Sequence, residues 1–358
     1  MKLETSLWSK FKWLVNVYRD LKRNSSPLTA MGGKLILGSI VGLPASGILF
    51  QLMIPEDFFL NKLDIAVNDA SYIAYGLCIL TFICGLGLIV FDIRSTSLSA
   101  RKVARVLITG LPGTSSVFPI SILSRAERKF AREPIELGIK ESKNGDHHQQ
   151  IERYNAEQCV ELFKRFVLHD ACEKLYIGGL ARVPFLVAYG AFLRNVSSQI
   201  VYFDKFHRDG KWCLLNDEDL NLQIKDYDSI TTPNSSGEIG LALGLSTAIH
   251  KEQLPTQLKE HTTILTPTVD AERNLIKNQD NLERISNKLK VIIDKLSTHK
   301  TKQVHLFLSI QSSLAIELGR CFQEGTHKNW VIHNFDAENG EYNWAIELSK
   351  SGIQKFQF

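Results

Sequence analysis

The sequence predicts an α/β protein in which an N-terminal hairpin of two membrane-crossing helices carries a cytosolic tandem of two Rossmann-like modules. Three observations support this. Two long runs, Leu35–Ile54 and Ala70–Phe91, contain no charged residue. The rest of the chain alternates short apolar runs with amphipathic ones, as strands and crossover helices do in a mostly parallel sheet. That alternation occurs twice, with matching punctuation.

Residues 1–34 form a basic segment and residues 35–91 the hairpin, with spans at about 35–54 and 70–91. At ~1.5 Å per residue, about twenty residues reach the ~30 Å of a hydrocarbon core, and a helix satisfies its own backbone there. Lys2, Lys10, Lys12, Arg19, Lys22, Arg23 and Lys34 precede the first run, and Arg94, Arg101, Lys102 and Arg105 follow the second. The loop between them carries Glu56, Asp57, Asp64 and Asp69 against Lys62. The positive-inside rule places both termini in the cytoplasm of a multi-pass inner-membrane protein. A cleaved signal peptide has a shorter apolar region that starts nearer the N-terminus. Leu7, Phe11, Leu14, Val15, Tyr18 and Leu21 recur at helical spacing among basic residues, either as an interfacial helix or as a plain basic flank. Gly38 and Gly42, and Gly85 and Gly87, offer small faces for packing, within the hairpin or between subunits. With no ionisable residue in either run, no proton relay or ion path is encoded there.

The repeat aligns Lys174–Asn216 with Val304–Ser349. Each copy opens on an apolar run, Leu175–Gly179 or His305–Ile310, and continues into a segment with a late glycine, Gly190 or Gly319. An alternating strand follows, and then Phe-Asp, seven residues and Trp: Phe203-Asp204 to Trp212, and Phe335-Asp336 to Trp344. Asp209-Gly210 and Asn339-Gly340 supply hairpin turns. Upstream, Ala104–Thr109 and Glu238–Leu245 read as buried first strands. The halves are 100–230 and 237–358, separated by the Ser-, Thr-, Pro- and Asn-rich stretch Asp226–Gly237. Leu275, Leu282, Leu289 and Leu296 recur every seven residues; a long crossover helix burying one stripe accounts for them, and a coiled-coil seam is the alternative.

Ligands of open parallel sheets bind beyond the carboxyl ends of the strands. The loops there are Gly110–Ser116, with Gly113, Thr114 and Ser115; Gly179–Arg182; Ser246-Thr247; and Ser309–Ser313, with Gln311 and Ser312. Backbone N–H groups and hydroxyls at helix N-termini suit phosphodiester oxygens, and Arg182 adds a guanidinium. Turn and cap chemistry uses the same residue types. Arg182, Thr114, Ser246 and Ser312 are expected to line one composite pocket between the halves. Gly110–Ser115 is no P-loop, because the Lys-Ser/Thr ending is missing. Trp212 and Trp344, His305 and His333 read as core or strand residues, and His147-His148 as a solvated pair. No catalytic motif appears, and Cys78, Cys84, Cys159, Cys172, Cys213 and Cys321 form no C-x-x-C pair. A net charge of +4, partly from the membrane flanks, calls for no nucleic-acid duplex.

The second unit, VHLFLSIQSSLAIELGRCFQ with WVIHNFD and YNWAIEL, resembles the C-terminal half of SAVED domains, bacterial sensors built from two fused CARF-like Rossmann modules. The resemblance is good over Gln303–Leu348, weaker over Lys174–Leu215 and faint before that. It implies a receptor for a cyclic oligonucleotide, a cyclic trinucleotide first, in CBASS anti-phage defence. The messenger would come from a nucleotidyltransferase related to cyclic GMP-AMP synthase. It also implies membrane damage as the output; the uncharged spans lead to the expectation that ligand-induced self-association acts on inner-membrane lipid, and the missing motifs to that of a non-catalytic effector with no metal. GLPGTSS matches no family motif, so ligand contacts from the first half are not implied. The alternatives are a membrane-tethered cyclic-nucleotide phosphodiesterase and a ligand-free membrane scaffold.

Overall fold

The computed structural model describes residues 27–42, 50–51, 64–65, 72–111, 115, 117–130, 135–138, 147–156, 172–194, 199–207, 210–216, 221–225, 230–297, 300–323 and 325–357. The chain divides into two units, Met1–Ser99 and Ala100–Phe358. The basic helix expected over Leu7–Leu21 lies outside the described residues.

In the first unit, α1 spans Pro27–Gly42 and α2 spans Tyr72–Arg101. Between them Phe50–Gln51 (β1) pairs antiparallel with Asp64–Ile65 (β2). The expected first span, Leu35–Ile54, is therefore not one helix. The described helix starts earlier than that run, at Pro27, and includes Lys34; residues 43–49, with Pro44, lie outside the described residues. Its 16 residues reach ~24 Å, short of a full crossing. Within α2 the 21-residue stretch Gly76–Thr96 is, by length and composition, long and apolar enough to cross a membrane. The close packing of α1 and α2 occurs at Gly32 and Gly85, where a Cβ on either residue would lie 2.6–2.7 Å from the other's carbonyl oxygen. Gly38 and Gly87, expected to serve this purpose, have nothing within 4 Å of a built Cβ. The Thr29 hydroxyl donates to the Asp92 carboxylate.

The second unit contains the repeat as two sheets. In the first half, β3 (Val103–Thr109), β4 (Ile135–Gly138), β5 (Lys174–Leu180) and β6 (Gln199–Lys205) run parallel, and β7 (Trp212–Leu214) turns back antiparallel. Among the described residues, this half holds the helices α3 (Arg125–Phe130) and α4 (His148–Asn155) before the crossover helix α5 (Val183–Phe192). In the second half, β8 (Glu238–Gly244), β9 (Thr262–Leu265), β10 (Gln303–Ser309) and β11 (Asn329–Asp336) are parallel, with α6 (Gln279–Leu296) and α7 (Ser312–Arg320) as crossovers. The antiparallel strands β12 (Glu341–Ser349) and β13 (Gly352–Phe356) close that sheet. The strand orders are β4-β3-β5-β6-β7 and β9-β8-β10-β11-β12-β13. Each half thus places its first strand between its second and third, and β13 is an addition. The strands β4, β9 and β13 were not legible beforehand.

Local sequence accounts for these elements. Every residue of β3 is buried, as both faces of a parallel sheet require. α5 is buried over Pro184–Ala191 and apolar all round, so it belongs between layers. Gly210 and Gly340 sit at φ +62° and +71°, the left-handed region that the two hairpin turns need. α6 begins at Gln279, later than the heptad suggested, because the Asn278 side chain caps it by accepting from Asp280 N–H. It buries Leu282, Ile285, Leu289, Ile292, Ile293 and Leu296, as a crossover helix does.

One continuous apolar core runs from Ile108 and Ile177 of the first sheet through Leu186 and Ala315 to Leu241 and Leu306 of the second. The helices α5 and α7 cross where the repeat-equivalent glycines Gly190 and Gly319 meet. α7 also packs on β5 and β6 of the other half, and α5 on β11 and β12. The duplicated units are interlocked around a local two-fold relationship.

His305 and His333 are buried on one face of the second sheet, with Nδ1 of the former 2.9 Å from Nε2 of the latter. Phe307 stacks on His333 at 4.2 Å and Phe356 meets His305 edge-on at 5.5 Å. Burial lowers the His305 pKa to about 4, against the pull of Glu238 and Glu347. Burial first, and then His305, holds His333 well below 6.5. Depressed folded values mean that this stability is present above pH 6.5 and is lost as the pH falls toward 4. The His305 share of that loss is about 3 kcal/mol. Urea midpoints measured from pH 7.5 to 4.5 should fall, and the fall should flatten when both histidines are replaced by Phe. An equally steep fall in the double variant would remove the pair as its cause.

Candidate functional site

The loops at the carboxyl ends of the strands are built the same way in both halves. After β3, the N–H groups of Gly110 and Leu111 donate to the Leu180 carbonyl at the end of β5, at 3.0 and 3.3 Å. After β8, those of Leu245 and Ser246 donate to the Ser309 carbonyl at the end of β10, at 2.9 and 2.8 Å. The structure therefore brings Gly110 beside the Gly179–Arg182 segment, and Ser246 beside Ser309.

The two loop clusters face the same edge of the unit. Asp204 lies near the carboxyl end of β6 in the first half, and it accepts from the first turn of α7 in the second. Its carboxylate takes the Ser313 N–H at 3.0 Å, the Ser313 hydroxyl, and Gln311 Nε2 at 3.2 Å. The Gln311 amide also pairs with the Ile276 backbone, donating to its carbonyl at 2.9 Å and accepting from its N–H. Burial raises the Asp204 pKa, and the hydrogen bonds from Ser313 and Gln311 oppose it without overcoming it.

The surroundings of the expected site residues differ from one to the next. Gln311 and Ser313 are buried, and their polar atoms bond to Asp204 and Ile276. Gly179 lies within β5, where a Cβ would strike Leu186 at 2.8 Å and Ile108 at 3.0–3.1 Å, so packing accounts for this glycine. Ser309 is the last residue of β10 rather than a loop residue. Ser246, Ser312 and Arg182 are half-buried, and Thr247 and Ser115 are exposed. Gly113 and Thr114 lie outside the described residues.

The repeat also relates Arg182 to Gln311, since each is the N-cap of its crossover helix. Just as Gln311 meets Asp204, Arg182 acts on Asp336, the second aspartate of the repeated Phe-Asp pair. The Asp336 pKa is lowered first by hydrogen bonds from Asn339 and Glu338, and further by the Arg182 charge. Asp336 accepts from Asn339 Nδ2 at 2.7 Å and from Asn343 Nδ2 at 3.0 Å. Phe203 and Asp204 are buried, whereas Phe335 and Asp336 are half-buried.

Sequence reading noted the Phe-Asp spacing but missed that Asp204 bonds across to the other half, while Asp336 is held by Glu338, Asn339 and Asn343 of its own half. The tryptophans are packed as expected. Trp344 is buried against Phe185 and the His147 ring, at 5.9 and 3.9 Å, and Trp212 meets Phe203 edge-on at 5.4 Å. His147 is thus a packing residue, whereas His148 pairs with Glu152 at the surface.

Among solved structures, the chain is similar to the Acinetobacter baumannii Cap4 SAVED/CARF-domain containing receptor with the cyclic trinucleotide 2'3'3'-cAAA. That match has 14% identity and a TM-score of 0.45, and covers 78% of this chain and 60% of that one. The same receptor with 3'3'3'-cAAA matches at 12% identity, with the same TM-score and coverage. The Moraxella osloensis Cap4 SAVED/CARF-domain containing receptor matches at 13%, covering 79% and 57%, with a TM-score of 0.41. The chain spans about three fifths of the length of these structures. No curated protein matches. A family model, the SMODS-associated and fused to various effectors sensor domain, matches residues 161–348. That stretch is more than half of the chain and runs through both crossover helices and both Phe-Asp pairs, and the chain belongs to the SAVED family.

Proposed function

We propose that this protein is a membrane-anchored receptor for a cyclic oligonucleotide, a cyclic trinucleotide first, in bacterial anti-phage defence. The observation that carries the reading is the duplicated sensor fold, whose two loop clusters face one edge. Phosphodiester oxygens fit that edge: backbone N–H groups at the starts of α5 and α7 and the half-buried Arg182 supply partial and full positive charge. The expected composite pocket of Arg182, Thr114, Ser246 and Ser312 belongs to this proposal, with Gly110, Gly113, Ser115 and Thr247 around it.

The proposed output is at the inner membrane. Ile79, Leu80, Ile83, Val90 and Phe91 are exposed on α2, and the stretch Gly76–Thr96 is long enough to cross. An apolar helix without a lumen-facing polar stripe does not conduct alone, so damage requires many copies gathered by ligand. The messenger's source would be a nucleotidyltransferase of the cyclic GMP-AMP synthase type.

Calorimetry with cyclic trinucleotides on the detergent-solubilised chain tests the receptor step. Arg182→Ala should weaken binding by about 1.5–3 kcal/mol if Arg182 holds a phosphate, and unchanged affinity would remove it from the site. Linear products in the same samples would favour a phosphodiesterase. Dye-loaded liposomes should leak only with ligand, in step with a shift to large assemblies; leakage by protein that stays monomeric or dimeric would overturn clustering.

A further inference from the structure

The amino end of the second sheet carries a row of lysines. Lys302 and Lys328 immediately precede β10 and β11, and Lys350 immediately follows β12. Gln303 is level with Asn329, and Trp330 with Leu348, so the three lysines sit side by side at one end of three neighbouring strands. Lys300 belongs to the same end: a Cβ on Gly237, just before β8, would meet the Lys302 side chain at 2.9 Å and the Lys300 carbonyl at 3.1 Å. Lys295 lies in the last turn of α6, which leads into this loop. Lys328 is half-buried and the other four are exposed. None of the five has an acidic partner among the described residues. The carboxylates at this end bond elsewhere: Glu347 accepts from Gln303, Asn329 and Gln354, Glu238 accepts from Asn234, and Asp294 meets His327. At the corresponding end of the first half the lysines are neutralised, Lys102 by Glu173 and Lys174 by Glu127.

We infer that this end of the second half rests on anionic lipid headgroups at the cytoplasmic face of the inner membrane. Like charges side by side on adjacent strands repel one another, and a surface of opposite charge relieves that repulsion. Lysine suits a fluid lipid surface, because it is a point charge on a flexible stem rather than a fork that grips one phosphate. The chain also brings lipid within reach. β3 begins at Val103, seven residues past Thr96 at the end of the apolar stretch, so the amino end of the first sheet stays within about 25 Å of that stretch. The loop clusters of both halves occupy the opposite, carboxyl edge, so the amino ends of both sheets share the side that this tether enters. Docking there leaves the loop edge open to a soluble ligand. The inference rests on the membrane-anchored reading and adds to it which face of the sensor meets lipid.

Lysine acylation read by mass spectrometry tests this, on the full chain in nanodiscs of phosphatidylcholine with or without about one third phosphatidylglycerol. With phosphatidylglycerol, acylation of Lys300, Lys302 and Lys350 should slow about threefold or more, and about 0.5 M NaCl should abolish the protection. Lys211, exposed just before β7, should react equally in both discs. Lys302→Glu combined with Lys350→Glu, both at exposed positions, should remove the protection of Lys300. Equal acylation in both discs, protection that survives high salt, equal protection of Lys211, or a double variant that keeps Lys300 protected overturns the inference. Protection by a DNA duplex in phosphatidylcholine discs, with none from phosphatidylglycerol, assigns the row to nucleic acid and overturns it too. Release of the chain from vesicles of the same lipids by alkaline carbonate defeats the membrane-anchored reading itself, whereas a retained chain with equal acylation defeats this inference alone.

Discussion

Gly319→Ala is expected to cost about 3 kcal/mol or more of folding stability, with Gly190→Ala close behind, in urea unfolding of the detergent-solubilised chain. At Gly319 a Cβ would lie 1.9 Å from the Val187 carbonyl oxygen and 2.9 Å from the Gly190 Cα. At Gly190 it would lie 2.0 Å from the Ile316 carbonyl oxygen. Both contacts are with backbone, so no rotamer change relieves them and the helices must separate. Separation opens the core that α5 and α7 share with both sheets. Because the helices tie the halves together, the variants should also loosen the loop edge and weaken cyclic-oligonucleotide binding. A cost under about 1 kcal/mol would mean that the helices can slide past one another, and that the crossing does not hold the halves in place.

Asp204→Ala is expected to cost about 2–4 kcal/mol, since it leaves the Ser313 N–H, the Ser313 hydroxyl and Gln311 Nε2 without their shared acceptor. Asp204→Asn keeps one acceptor oxygen and should cost less. The pH dependence has a definite sign. The folded pKa of Asp204 is raised above 3.8, so its contribution is fully present below that value and is lost as the pH rises through the folded one. The wild-type advantage over Asp204→Asn should therefore be widest in acid and narrow toward neutrality, as read from urea midpoints across that range. An advantage that grows toward neutrality would contradict the assignment of burial as the dominant influence on Asp204.

Much of the architecture was legible because it rests on local signals. The recurring glycines, Phe-Asp pairs, hairpin turns and apolar strands are short-range requirements, and their repetition exposed the duplication before any contact was known. The short strands β4 and β9 were missed because four residues at a sheet edge leave little periodicity to read. The first apolar run misled for the opposite reason. Composition marked Leu35–Ile54 as continuous, whereas Phe50–Gln51 within it pair as a strand.

The site was legible only in part. Gly-, Ser- and Thr-rich loops beyond strand ends announce a class of chemistry, and the structure does gather them in pairs. But the same residue types cap helices and fill tight sheets, and only position separates these uses. Gly179 faces Leu186 and Ile108, and Ser313 faces Asp204, a residue 109 positions away in sequence. Sequence by itself determined the α/β class, the duplication, the order of the repeated strands and crossover helices, and the apolar stretch around α2. The tertiary structure alone decided that Gly190 meets Gly319, that Asp204 serves the other half, and that Phe203-Asp204 is buried while Phe335-Asp336 is half-buried. Those outcomes depend on how two similar surfaces interlock, a long-range property that no local pattern in either copy encodes.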